Sequence, residues 1–297
     1  MTESTRPDDA ETDGGYVRES PALSGDTANR VRDTLGKTWA LATREYRLAM
    51  RRRWSLGATL VFAAFSVAVV AFGASTAGPG RFDAALVSLV ELGVYLVPLV
   101  ALAVGYDAVV GPEASGSLAL VRSLPAPAWT VVVGKYAGRA GALAGSLLVG
   151  FAPGLVLATA LTGPDAVGPY AVVALAALLA ACGFLALGLL VSTVARERTH
   201  ALGLALAVWL WFVLLHELFA LGAIAALDLS ETGVVVAVLT NPAACFRVLA
   251  LAQFDALAGG LAAAVREAGL SIPVTLVTAL AWVVGPVALA AWLLERR

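Results

Sequence analysis

The sequence predicts an all-α polytopic membrane protein with six transmembrane helices, and three observations support this fold class. The chain of 297 residues is 60% hydrophobic and only 14% charged, whereas soluble domains carry roughly 25% charged residues. The charges are also unevenly placed, because residues 1–53 hold nine acids and ten basic residues while residues 170–195 hold none. Several apolar runs exceed about 18 residues, the length at which a helix can cross the hydrocarbon layer.

Six apolar runs are long enough to be membrane spans. They are residues 56–74, 84–110, 140–161, 170–194, 201–227 and 272–294. Together they make residues 56–297 a six-helix transmembrane domain, which predicts a multi-pass protein of the cell membrane with lipid as its surroundings.

Two segments precede the first span. Residues 1–28 are acidic, rich in Gly, Ser and Pro, and lack apolar periodicity, which predicts a disordered cytosolic tail. Residues 29–55 predict an amphipathic helix whose apolar residues recur every three or four positions: Val31, Leu35, Trp39, Ala42, Tyr46 and Met50. Its other face is basic, so we expect it to lie in the membrane interface. A helix packed on soluble protein is the alternative.

The distribution of basic residues orients the spans, since Lys and Arg stay on the cytoplasmic side. With the N-terminus inside, the inner segments hold seventeen of the twenty basic residues and the outer segments hold three. We therefore predict that both termini are cytoplasmic. This orientation places segment 111–139 in the cytosol and the long loop 228–271 outside.

The outer loop 228–271 has a helical pattern of its own. Thr240 or Asn241 can cap a helix, and Pro242 suits its first position. The apolar residues that follow predict one or two short helices that lie at the outer surface or dip into it.

No enzyme motif emerges from the chain. His216 and Glu217 stand in the stretch HELFA, which is not the HExxH zinc motif. The patterns GxSxG and GxxxxGK[ST] are also missing, so nucleophilic catalysis and ATP binding of the P-loop type are not expected. We predict no catalytic residues, no cofactor and no metal site, and the net charge of −1 does not indicate a nucleic-acid partner.

The cytosolic segment 111–139 carries a more specific pattern. Glu113 is followed by Gly116-Ser117-Leu118, then by Pro125 and by Gly134-Lys135 before the third span. This arrangement closely resembles the ABC type-2 permease family, and the resemblance covers most of the chain.

The resemblance implies a role for this segment. It would be a coupling helix seated in a groove of a separate cytosolic ATPase, formed by Glu113, Gly116, Ser117, Leu118, Pro125 and Lys135. Tyr106 and Asp107 are expected to help hold it in place. The family also implies a homodimer of permeases. An ordinary re-entry loop is the alternative.

A narrower resemblance lies in the outer loop. Leu239-Thr240-Asn241-Pro242 and Phe246-Arg247-Val248-Leu249 are similar to a stretch of the permeases that serve maturation of the nitrous-oxide reductase copper site. Ala244 stands where that pattern has an acid. The resemblance implies an extracytoplasmic β-helical partner, with Asn241, Pro242, Phe246 and Arg247 as its contacts.

Ionisable residues inside spans are candidates for a translocation path, because each costs about 2.5–3.5 kcal/mol to insert. Glu91 on the second span and His216 and Glu217 on the fifth lie at similar depths below the outer end. The family resemblance implies that these two spans line a cleft between two permease copies. We hypothesise that the three residues contact cargo or each other there; a structural hydrogen bond between helices is the alternative.

Copper is a poor candidate for the cargo itself. Soft copper sites use Met, Cys or His, and the chain has only two of each. The transported species would then be another one, such as a sulfur compound, or the permease would transmit force to its outer partner. A general exporter of drugs, lipids or other hydrophobic compounds and a non-transporting membrane scaffold remain the alternatives.

Overall fold

The protein is helical throughout the part of the chain that its computed structural model describes, residues 23–51, 53–75, 81–114, 127–227, 230–253 and 271–296. A 3₁₀ turn at Pro164–Ala166 and a π-helical turn at Trp211–Leu215 lie between longer helices. The α-helices are α1 Leu23–Arg51, α2 Trp54–Ser75, α3 Arg81–Gly105, α4 Val110–Ala114, α5 Ala128–Thr162, α6 Val167–Val194, α7 Arg198–Leu210, α8 His216–Leu227, α9 Glu231–Leu239, α10 Pro242–Leu251 and α11 Ile272–Glu295.

Six helical stretches within these residues are long and apolar enough to cross a membrane, which confirms the predicted number. They correspond to α2, α3 with α4, α5, α6, α7 with α8, and α11. The largest difference from the prediction is at α5, which begins at Ala128 rather than at residue 140. Its first three turns carry Lys135 and Arg139, and these charges are paired within the chain, so the helix continues through a polar stretch.

The first helix also differs in its bounds. α1 begins at Leu23, inside the segment predicted to be disordered, and ends at Arg51, four residues before the predicted end at 55. Residues 1–22 of the predicted tail lie outside the described residues. α1 packs along the beginning of α5, and the side chains of Leu35, Trp39, Tyr46 and Met50 stay exposed.

Glycines on α5 bring α1 and α2 into close contact with it. A Cβ atom at Gly134 would lie 2.7 Å from Cβ of Leu41, and one at Gly138 would lie 2.7 Å from Cβ of Glu45. The same spacing of four residues recurs at Gly150 and Gly154, which face α2. Small residues at this spacing let helix backbones approach closely in a membrane, where helices lack a hydrophobic drive to associate.

The helix α6 is the centre of the bundle. It packs against α3, α5, α10 and α11, and most of its side chains are buried. Where α6 crosses α3, a Cβ at Gly105 would lie 2.9 Å from the Gly188 Cα, so both positions need glycine for the backbones to meet.

The bundle has two ends, which we name by their residues. The α1 end holds α1, α4, the beginning of α5 and the link 195–197 between α6 and α7. The far end holds the turn Pro164–Ala166 and the pair α9 and α10.

The pair α9 and α10 forms a bend of 108° that packs into the bundle. Asn241 caps α10, because its side-chain oxygen accepts a hydrogen bond from the Ala243 amide at 2.9 Å, and Pro242 takes the first helical position. Both features confirm the sequence prediction. Pro242 packs near Gly183 at the middle of α6, and Gln253 after α10 donates to the Pro169 carbonyl at the start of α6. α10 therefore runs from the middle of the bundle to its far end.

We predict opposite effects for alanine at two glycines of α5. Gly138→Ala should lower the free energy of unfolding by about 1–3 kcal/mol, because the new methyl group overlaps α1. Gly145→Ala is the matched control: a Cβ there meets nothing within 4 Å, so the change should be neutral or stabilising by up to about 1 kcal/mol. Thermal unfolding of both variants in one detergent measures the difference. Equal shifts of the two variants would contradict the packing described here.

Candidate functional site

Arg247 is the centre of an ionic site in the far half of the bundle. Its Nη2 lies 3.0 Å from Oε2 of Glu91 on α3, and its Nη1 lies 2.7 Å from Oε1 of Glu217 on α8. The Arg247 side chain, on α10, is almost fully buried. One guanidinium therefore connects the second span, the fifth span and the bent pair α9–α10.

The charges of this triad do not balance. Two carboxylates share one guanidinium, and the Nε of Arg247 has no hydrogen-bond partner among the described residues. The side chain of Glu91 is 40% exposed and that of Glu217 is 26% exposed, whereas that of Arg247 is 7% exposed. The two carboxylates therefore reach the surface of the bundle, whereas the guanidinium of Arg247 stays inside it.

Beside the triad, the π-helical turn Trp211–Leu215 meets the turn between α9 and α10. Asn241 donates from Nδ2 to the Phe212 carbonyl at 2.8 Å, and the same nitrogen lies 3.2 Å from Nδ1 of His216. The other ring nitrogen of His216 lies 3.2 Å from Oγ1 of Thr240. A π turn frees backbone groups from the usual helical pattern and is frequent at functional sites; here it supplies the acceptor that fixes Asn241.

The structure brings the three predicted path residues into one region but gives them different surroundings. Glu91 and Glu217 are joined through Arg247, whereas His216 binds the α9–α10 turn. The hydrogen-bonded contact between helices, the alternative considered above, is thus present.

The four residues predicted to contact an outer partner are buried in the chain. Asn241 and Phe246 are each 2% exposed, and Pro242 and Arg247 are also buried. Their side chains bind α3, α8 and the π turn instead, because a bent pair inserted into the bundle needs internal partners for its polar groups. Contact of these four residues with an outer partner therefore stays a prediction, and within this chain their side chains have internal partners.

A second ionic cluster lies at the α1 end. Lys135 Nζ is 3.0 Å from Oε1 of Glu45, and Arg139 Nη1 is 2.8 Å from Oδ1 of Asp107. Arg139 also donates to the Val104 carbonyl, and its Nε lies 3.9 Å from Oε2 of Glu45. Arg198 extends this series of ion pairs, because its Nη2 lies 3.8 Å from Oδ2 of Asp107. The cluster joins α1, α5, the turn after α3 and the start of α7.

The residues predicted to couple to an ATPase are only partly described. Gly116, Ser117, Leu118 and Pro125 lie outside the described residues. Glu113 is exposed on α4, whose beginning is held by Ser192 through hydrogen bonds from the amides of Val109 and Val110. Lys135 is 3% exposed and paired with Glu45, so its charge is used within the chain, where it binds α1.

Sequence reasoning missed the partners in both clusters. Glu45 is one of two acids in the basic segment 29–55, together with Asp33, yet it shares a helical face with Ala42 and Ala49, and small residues there signal close packing. Arg247 is one of only three basic residues in the outer segments, and the second and fifth spans carry the acids Glu91 and Glu217. A rare basic residue together with two acids inside spans was a signal for ion pairing.

With the fold and both clusters in view, comparison with known proteins defines the class. Residues 39–297 match the family of ABC-2 family transporter proteins, and the chain belongs to this family. It is therefore a permease subunit of an ABC transporter, a multi-pass membrane protein whose class implies a cytosolic ATPase as its partner.

Two relatives make the comparison more particular. The chain is 35% identical over 271 residues to the probable ABC transporter permease protein NosY of Pseudomonas aeruginosa, covering 87% of this chain and 98% of the relative. It is 32% identical over 255 residues to the protein of the same name from Stutzerimonas stutzeri, covering 81% and 90%. The chain is thus similar to NosY permeases over nearly its whole length.

We predict that Arg247→Met destabilises the protein by about 3 kcal/mol, because two carboxylates lose the cation between them and the re-entrant pair loses its contacts with α3 and α8. The matched variant replaces the whole triad with Arg247→Met, Glu91→Gln and Glu217→Gln, and should recover most of the loss. Thermal unfolding in detergent measures both. A single variant as stable as the wild type would show that the triad does not stabilise the bend.

Proposed function

We propose that the chain couples ATP hydrolysis by a separate cytosolic ATPase to a rocking motion of its six-helix bundle. The observation that supports this best is the ionic cluster at the α1 end. It fastens the helices on both sides of segment 115–126, since Asp107 before it is paired with Arg139 after it. A force applied to this segment would reach α3 and α5 together.

The direction of that force follows from the predicted orientation, with both termini and the α1 end in the cytosol. α4 is tied to α6 by Ser192, and α5 is tied to α1 by Lys135 and Glu45. α3 then extends from this cluster to Glu91 in the far half of the bundle. A tilt of α3 relative to α8 would change the distances within the Arg247 triad. The cluster at the α1 end and the triad would then both change during one cycle of ATP hydrolysis.

The partly exposed carboxylates of Glu91 and Glu217 are our candidates for the translocation path. They project from the second and fifth spans, the helices that the family resemblance places at the cleft between two permease copies. In this proposal Arg247 fixes the carboxylates in position, and His216 positions the α9–α10 turn without touching cargo.

We further propose that the transporter serves maturation of the nitrous-oxide reductase copper site. The support is the similarity to two proteins named NosY and the motif around Asn241 and Phe246. An extracytoplasmic β-helical partner would then bind the far end around α9 and α10. A general exporter of hydrophobic compounds is the competing function.

Complementation distinguishes the two functions. The permease, expressed with an ABC ATPase from its own organism, should restore nitrous-oxide reduction to a strain of Pseudomonas aeruginosa that lacks NosY. Restored reduction requires both subunits, so an ATPase with a mutated Walker lysine is the control. Export of a hydrophobic dye without restored reduction would favour the general exporter.

For the coupling segment, we predict that Glu113→Ala and Gly116→Pro each weaken association with the ATPase while membrane insertion stays intact. Glu295→Ala, which removes an exposed acid at the C-terminal end of α11, is the control and should leave association unchanged. Co-purification of the tagged permease with its ATPase measures the effect. Unchanged recovery of ATPase with both segment variants would count against coupling at this position.

For the path, we predict that Glu91→Gln and Glu217→Gln each lower activity in the complementation assay. Both amides keep the shape of the carboxylate, so thermal unfolding should change less than it does in Arg247→Met. Wild-type activity of both variants would eliminate the cargo role and leave a purely structural triad.

A further inference from the structure

Two parallel stripes of exposed side chains run along α1, and the first borders the face that packs on α5, where Tyr46 lies next to Gly141. Apolar side chains that are 42–74% exposed form the first stripe, namely Leu35, Trp39, Tyr46 and Met50. Exposed arginines at intervals of three and four residues form the second, namely Arg44, Arg47 and Arg51. Because a helix repeats about every 3.6 residues, the two stripes lie next to each other along α1.

The arginine stripe has no acidic side chain to neutralise it along its own length. Between Lys37 and Arg51 the only acid is Glu45, which is buried on the opposite side and paired with Lys135. Trp39, Arg44, Arg47 and Arg51 line a shallow open groove of about 550 Å³ whose described lining residues all lie on α1. The groove combines concentrated positive charge with an aromatic ring at its border.

We infer that this groove binds the headgroups of anionic phospholipids in the leaflet next to the α1 end. The exposed apolar stripe would enter the headgroup and acyl boundary, which places the arginines at the level of the phosphates. Arginine pairs with phosphate through two parallel hydrogen bonds, and basic residues on a membrane-surface helix attract anionic lipid. This lipid binding is separate from coupling to the ATPase. It is expected whichever side of the membrane the α1 end faces.

Lipid bound here would also act on the rest of the molecule. α1 is fastened to the beginning of α5 by the Lys135–Glu45 ion pair and by the close approach at Gly134 and Gly138. A headgroup held by the arginine stripe would keep α1 at the membrane surface, and with it the helix that follows the coupling segment.

Binding of fluorescent phosphatidylglycerol to the purified full-length permease in neutral detergent tests the proposal, with fluorescent phosphatidylcholine as the neutral probe. We expect the wild type to prefer phosphatidylglycerol by about tenfold and to lose this preference in high salt. The triple variant Arg44→Gln, Arg47→Gln, Arg51→Gln should bind the two lipids about equally. The same three positions changed to Lys keep the charge and should keep most of the preference.

A charge-matched control separates a site from general attraction. Arg32→Gln, Arg196→Gln and Arg296→Gln remove three exposed arginines outside the groove and should leave the preference intact. Three results would overturn the proposal. The control could lose the preference for phosphatidylglycerol as fully as the groove variant does, the wild type could bind both lipids equally, or the Arg→Gln groove variant could keep the preference. Displacement of the lipid by millimolar inorganic phosphate would show that the groove binds free phosphate instead.

Discussion

Close approach of helix backbones at glycine is the interaction on which the rest of this bundle depends. Helices in a bilayer gain no hydrophobic free energy by leaving lipid for one another, so they associate through packing and polar contacts. Gly105 and Gly188 bring α3 onto the central helix α6, and Gly134 and Gly138 bring α1 onto α5. These contacts set the distances at which the ion pairs at the α1 end can form.

The two ionic clusters have different roles in this framework. At the α1 end, Lys135 and Arg139 are satisfied by Glu45 and Asp107, so that cluster closes the helices into one unit. In the far half, Arg247 is shared by Glu91 and Glu217, and its Nε finds no partner within the part of the chain that the structure describes.

The bent pair α9–α10 explains how charge can lie inside a bundle of long apolar helices. Backbone groups at membrane depth must find partners within the protein. Asn241 finds them at the Ala243 amide and at the Phe212 carbonyl in the π turn. The turn thereby brings α10 to the middle of α6 and positions Arg247 between two spans. The place of Arg247 in a predicted outer loop does not by itself indicate this position.

The sequence by itself determined the fold class and the number of spans, and it limited the N-terminal cap of α10 to Thr240 or Asn241. These depend on apolar length and on local capping chemistry, which neighbouring residues along the chain decide. Only the tertiary structure decided that Arg247 joins Glu91 to Glu217, that Lys135 binds Glu45, and that α5 begins at Ala128. Those pairings connect residues far apart in the chain, so their partners follow from how closely glycines let the helices approach. No periodicity within a single segment contains that information.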